Sequence, residues 1–133
     1  MNFLYEAQLE KWHQFIASQG AGVELLAEIV AQDAVFRSPV VWTPQLGKAI
    51  TLKYLVAAAH VLKNFKYTRT LFNQNAVCLQ FNATVGEISI VGIDLIEFNE
   101  AGLIKDFEVM VRPAKALQAL GEAMREQLTS NAA

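Results

Sequence analysis

The sequence predicts an α+β fold: helices first, then a curved antiparallel sheet, then a last helix. Three observations predict it. Apolar residues recur at helical spacing as far as about Leu62, the period drops to two from Asn64 to Arg112, and Pro113 then opens a new helical stripe.

Each element follows from its own pattern. Phe3 to Ser18 carries Leu9, Trp12 and Ile16 at helical spacing, with His13 beside them, until Gly20 to Gly22 breaks the run. A second helix is expected from Val23 to about Gln32, with Leu26, Ile29 and Val30 on one side. "DAVFRSP", Asp33 to Pro39, reads as a short strand that its proline ends. An irregular loop from Pro39 to Gly47 carries Trp42. The third helix, about Lys48 to Leu62, is apolar almost all round ("YLVAAAHVL"), as befits a helix buried on more than one side. Four strands follow, at about 65–72, 76–84, 87–98 and 103–112. Behind Pro113, residues Leu117, Leu120, Met124 and Leu128 form one helical stripe. The tail "TSNAA", about 129–133, is expected to fray.

The 133 residues suffice for one domain with a real core, spanning 1–133, and are too few for two. Hydrophobic residues make up 53% and charged ones only 18%, an excess that points to an internal cavity, an apolar interface, or both. A net charge of −2 leaves no electrostatic footprint for nucleic acid or an anionic membrane. No apolar run reaches the roughly 18 residues of a membrane span, and "MNFLYEAQLEK" has acids where a signal peptide carries basic residues. With Cys78 as the lone cysteine, no internal disulfide can form and a cytoplasmic location is expected. His13 and His60 are the only histidines and lack metal-ligand spacing, so neither a metal nor a cofactor is expected.

One residue resists the apolar pattern. "ISIVGIDLIEF", Ile88 to Phe98, is a nearly all-apolar strand with Asp94 in its middle. An ionised carboxylate there costs several kcal/mol unless it is paired, solvated or protonated. Pairing Phe98 with Leu103 and Thr84 with Glu87 sets the register of both hairpins. One face then collects Val77, Leu79, Phe81, Ala83, Ile90, Gly92, Ile96, Phe107 and Val109, and Asp94 lies on it opposite Phe107, with Lys105 the only other charge. The other face holds Val91, Ile93, Leu95, Ile104 and Met110 among Glu97, Glu108 and Arg112. Asp94 is thus expected to point toward the helices. The second face is too apolar to stand bare in water, so a homodimer through the back of the sheet is expected.

The helices, "DAVFRSP", a loop ending in "GKAI", and above all "VGIDLIEFNEAGLIKDFEVMVRP" resemble the nuclear transport factor two-like superfamily, SnoaL-like cyclases and ketosteroid isomerases. The likeness runs from about Leu9 to Arg112. It implies a cone-shaped cystatin-like fold, in which three N-terminal helices and a curved sheet enclose a deep apolar pocket. By that resemblance Asp94 falls where ketosteroid isomerases keep a protonated aspartate that donates to the substrate oxyanion. Ser38, before Pro39, stands where that family has its general-base aspartate, and a serine hydroxyl cannot shuttle the proton. The family's first-helix tyrosine falls near Gln14, beside His13.

Each candidate carries two readings. Asp94 is a pocket acid, or a carboxyl satisfied by Lys105, by a Trp or Tyr donor, or by buried water. His13 can serve as an acid/base and His60 as a pocket wall, or each is a histidine settled by one hydrogen bond. Trp12, Trp42 and Tyr54 can stack on a flat ligand or simply pack, with Trp42 placed to gate a pocket mouth. Phe81, Phe107 and Val109 complete the expected ligand wall. Asp33 reads as a turn or cap residue. The functional expectation is a small-molecule pocket protein for an apolar or aromatic ligand. It either performs acid/base chemistry on a carbonyl compound (isomerisation, cyclisation, hydration or hydrolysis), or acts as a non-catalytic binder or homodimeric interaction module.

Overall fold

In the computed structural model, which describes residues 2–130, the elements run α1 (Glu6–Ala17), α2 (Val23–Ala27), β1 (Val30–Arg37), β2 (Gln45–Leu46), α3 (Lys48–Val61), β3 (Lys63–Phe72), β4 (Ala76–Val85), β5 (Ile88–Phe98), β6 (Ile104–Arg112) and α4 (Ala114–Ser130). The class is α+β, with one curved six-stranded sheet and helices packed on its inner side. Strand order is β2-β1-β6-β5-β4-β3.

The sheet is mixed, where a purely antiparallel one was expected. β1 runs parallel to β6, pairing Phe36 with Phe107 and Arg37 with Glu108. The chain leaves β1, passes through β2 and α3, builds the β3 to β6 meander and returns beside β1, and a crossover of that kind permits parallel pairing. Strand β1 also starts earlier than "DAVFRSP", because Val30 and Ala31 are buried as strand residues, so α2 stops at Ala27. Of the expected frayed tail, Thr129 and Ser130 end α4, and residues 131–133 lie outside the described residues.

Both hairpin registers differ from the expected ones by two residues over most of their length. Val85 pairs with Ile88 around the two-residue loop Gly86–Glu87, where Gly86 takes φ 59. Asp94 pairs with Leu79 on β4 and with Val109, rather than Phe107, on β6. A shift of two preserves which face each side chain occupies, so the inner set survives. The exception sits at the start of β6. Phe98 pairs with Ile104 and Glu97 with Asp106, so Lys105 is an extra residue at a bulge. Ile104 consequently turns into the core, fully buried, instead of lying on the back face. Lys105 leaves the face of Asp94 and pairs with Glu97 at 2.8 Å.

The core has two centres. The larger gathers Trp12, Phe15, Leu26, Phe36, Leu55, Leu79, Ile96 and Phe107 beneath α1 and α3. The smaller joins Phe81, Ala83 and Ile90 to Ala116 and Leu120 of α4. A cavity lies between them. No helix among the described residues is long and apolar enough to cross a membrane.

Candidate functional site

Strand β5 buries alternate residues Ile90, Gly92, Asp94, Ile96 and Phe98. Asp94 is therefore carried inward by the strand period itself, and it is 5% exposed. It borders a cavity of about 710 Å³, within the size range of small-molecule pockets. α1 supplies Trp12, His13 and Ile16 to the wall, α3 supplies Tyr54, Leu55 and Ala58, and α4 supplies Leu120, Met124 and Leu128. The sheet contributes Phe36, Tyr67, Phe81, Phe107 and Val109. Asp94 is the only acid among these lining residues.

Its partner is Tyr67. The Tyr67 hydroxyl donates to Asp94 Oδ2 at 2.5 Å, and Trp12 Nε1 donates to the Tyr67 oxygen at 2.9 Å. No other side chain among the described residues bonds the carboxyl. No buried side-chain oxygen in those residues lacks a partner, so Oδ1, which has none, is reached from the cavity. Burial pushes the Asp94 carboxyl up to about 7, with the Tyr67 hydrogen bond pulling the other way. Burial likewise holds the Tyr67 hydroxyl well above its ordinary value, reinforced by the charge of Asp94 and by the bond to it.

His13 faces the same tyrosine, with ring centroids 5.4 Å apart and near-perpendicular planes. Burial lowers its imidazole below the ordinary value, and Glu10 pulls it back. Asp94 and His13 are thus both pushed toward their neutral forms, one a proton donor and the other an acceptor.

Of the residues singled out from sequence, the fold brings Trp12, His13, Tyr54, Phe81, Asp94, Phe107 and Val109 to one cavity. Two lie elsewhere. Trp42 is 98% exposed, because its loop turns only Ser38 to Val41 to the cavity. His60 sits on the outer side of α3, where Nδ1 bonds Val56 O at 2.9 Å and the ring packs on Gly20. Asp33 is exposed on β1 rather than at a helix end. Ser38 borders the cavity, with its Oγ accepting the Val40 N–H at 3.0 Å.

Sequence reading missed Tyr67. The signal was available: in "NFKYT" Phe65 and Tyr67 alternate with Asn64, Lys66 and Thr68, which puts both aromatics on one side of the strand. A buried tyrosine hydroxyl requires a partner, as does a buried lone acid. The two needs answer one another.

Comparison with solved structures places the fold. A steroid delta-isomerase from Pseudomonas aeruginosa superimposes with a TM-score of 0.91 at 41% identity, covering 96% of this chain and 93% of its own. The chain belongs to the nuclear transport factor two-like superfamily. An uncharacterised bacterial protein with a cystatin-like fold from Silicibacter pomeroyi matches at TM-score 0.88 and 32% identity, over 94% and 87% of the two chains. A nuclear transport factor two-like protein of unknown function from Cytophaga hutchinsonii shares the fold alone, at TM-score 0.61 and 14% identity over 86% and 96%. Neither the protein-family models nor the curated proteins gave a match.

Proposed function

We propose that this nuclear transport factor two-like protein is a proton-transfer enzyme acting on a flat, apolar ketone, with isomerisation of a β,γ-unsaturated ketone to its conjugated form as the reaction. One observation carries the reading. A single carboxyl, anchored through one oxygen by Tyr67, presents its other oxygen to an apolar cavity at a pKa of about 7. The similarity to a structure described as a steroid delta-isomerase supports the substrate class.

Protonated Asp94 donates to the carbonyl oxygen. Neutral His13 takes a proton from the carbon between carbonyl and alkene, as the C–H electrons form the new carbon–carbon double bond and the carbonyl pair moves onto oxygen. Return of that proton to the far alkene carbon completes the conjugated ketone, and no other reagent is consumed. Charge develops on the substrate oxygen, where a fixed donor in a dry site helps most.

The pH profile tests the assignment. Protonated Asp94 is lost above about 7, and neutral His13 is lost below its lowered value. A plot of kcat/KM should therefore be bell-shaped, with the alkaline limb near pH 7. Conversion of a β,γ-unsaturated steroid ketone, followed by absorbance of the conjugated product, is the assay. A rate that climbs steadily through pH 7 would reverse the role of Asp94.

The bonded state of Ser38 favours a second reading. Its hydroxyl caps a turn and offers no base beside the cavity, leaving His13 alone in that role. If His13 cannot reach the substrate carbon, the cavity binds a ketone without turnover.

The dimer belongs to this reading as well. Val91, Ile93 and Leu95 are only partly covered on the back of the sheet, beside Met110 at 47% exposed. Light scattering at micromolar concentration is expected to give twice the chain mass, and a monomer would contradict it.

A further inference from the structure

We infer that Trp12 is a positioning residue that fixes which oxygen of Asp94 carries the proton, directing it to Oδ1 and into the cavity. The inference rests on the proton-donor reading of Asp94 and adds to it where the proton sits and what places it there. It also gives Trp12 a role other than the ligand stacking or simple packing expected from sequence.

The argument is one of donors and acceptors. The indole Nε1–H can only donate, and it donates to Tyr67 Oη at 2.9 Å. Among the described residues, the Tyr67 hydroxyl has partners in two directions, Trp12 and Asp94. Its own proton cannot point at a donor, so it points at Asp94 Oδ2. Turning it elsewhere would strand a buried hydroxyl proton, a cost of about 1–3 kcal/mol. With Oδ2 already accepting, a proton on that oxygen would leave Tyr67 bonded to the weakly accepting hydroxyl oxygen of the acid instead of its carbonyl oxygen. The acid therefore protonates at Oδ1, which has no partner in the protein and faces the cavity.

Trp12 cannot easily leave this post. It is 2% exposed, and its ring lies 5.0 Å from Phe107 and 5.5 Å from Phe15. The surroundings of Asp94 offer no competing bond. β4 and β6 present Leu79 and Val109, and of the titratable or charged groups on the cavity wall (His13, Tyr54, Lys63, Tyr67 and Arg125) only Tyr67 bonds it.

A chemical consequence follows. Below the midpoint of Asp94 the cavity holds a donor aimed at an acceptor such as a ketone. Above it, the same oxygen is an acceptor and prefers an alcohol. Without the indole N–H, Tyr67 can turn and accept, the proton can sit on Oδ2, and Oδ1 becomes an acceptor at every pH.

Fluorenone and fluorenol, a rigid ketone and alcohol on one skeleton, test this by titration of the whole protein. In the native chain the fluorenone Kd should rise about tenfold from pH 6 to pH 8, as expected for a donor with a midpoint near 7, while the fluorenol Kd does not rise. In Trp12→Phe, which keeps a packed aromatic ring, the preference for fluorenone at pH 6 should collapse and its pH dependence flatten. Retention of both would overturn the inference.

An infrared measurement decides independently of folding in the variant. In the native protein at pH 5, the protonated Asp94 carbonyl (identified by its loss in Asp94→Asn) should absorb at the lowered frequency of a hydrogen-bonded acid. A free-carbonyl frequency would overturn the placement. A hydrogen-bonded carbonyl with a flat fluorenone profile would instead sink the proton-donor reading and leave the placement supported.

Discussion

Replacing Asp94 by Asn is expected to slow turnover sharply and to stabilise the fold at alkaline pH. The amide keeps an oxygen for Tyr67 but has no exchangeable carboxyl proton near neutrality. Loss of a positioned acid typically lowers the rate about 10²- to 10⁴-fold. The stability effect has a definite sign. Asp94 rises from 3.8 to about 7 on folding, so the folded chain holds this proton where the unfolded chain releases it. That contribution is complete below pH 3.8 and is lost as pH climbs through about 7. Its full size is up to about 4 kcal/mol. Thermal melts should show Asp94→Asn matching the native protein near pH 4 and exceeding it at pH 8. Equal stability of the two at pH 8 would mean that the carboxyl ionises freely in the fold.

The second large effect is expected at Gly92. A Cβ placed there would lie 2.5 Å from Phe81 Cζ and 2.8 Å from the Met110 carbonyl oxygen. The phenyl ring can swing, and the backbone oxygen of the neighbouring strand cannot do so without bending β6. Overpacking of this kind costs about 1–3 kcal/mol. Phe81 lines the cavity, so its displacement also narrows the space beside Asp94. Gly92→Ala should therefore melt lower than the native protein and bind a flat ketone more weakly, whereas unchanged values for both would show that the sheet absorbs the methyl group. Gly92 is thus the position that lets a phenyl ring lie across β5, two residues before the acid.

These two positions show why much of the site was legible. The inward direction of Asp94 depends on parity along a strand, and parity survived an error of two residues in both hairpins. The bulge at Lys105 is the counterexample. One extra residue turned Ile104 into the core and moved Lys105 to Glu97, an outcome that no alternation rule at "AGLIKDF" foretold. Trp42 and His60 failed for a related reason. Each was placed near the cavity by its element, and loop path or helix rotation decided otherwise. Both are set by contacts distant in sequence, such as the packing of His60 against Gly20.

The amino-acid order alone determined the α+β class, the inner and outer sets of β4 and β5, and the presence of a lone carboxyl on the apolar side. Those properties are local, arising from residue period, turn glycines and proline. Only the tertiary structure decided that β1 lies parallel to β6, that the cavity closes against α4, and that Tyr67 and Trp12 form a chain ending on Asp94. Trp12 and Tyr67 are 55 residues apart and Tyr67 and Asp94 are 27 apart, so their meeting depends on how the sheet curves, and that is a property of all its strands together.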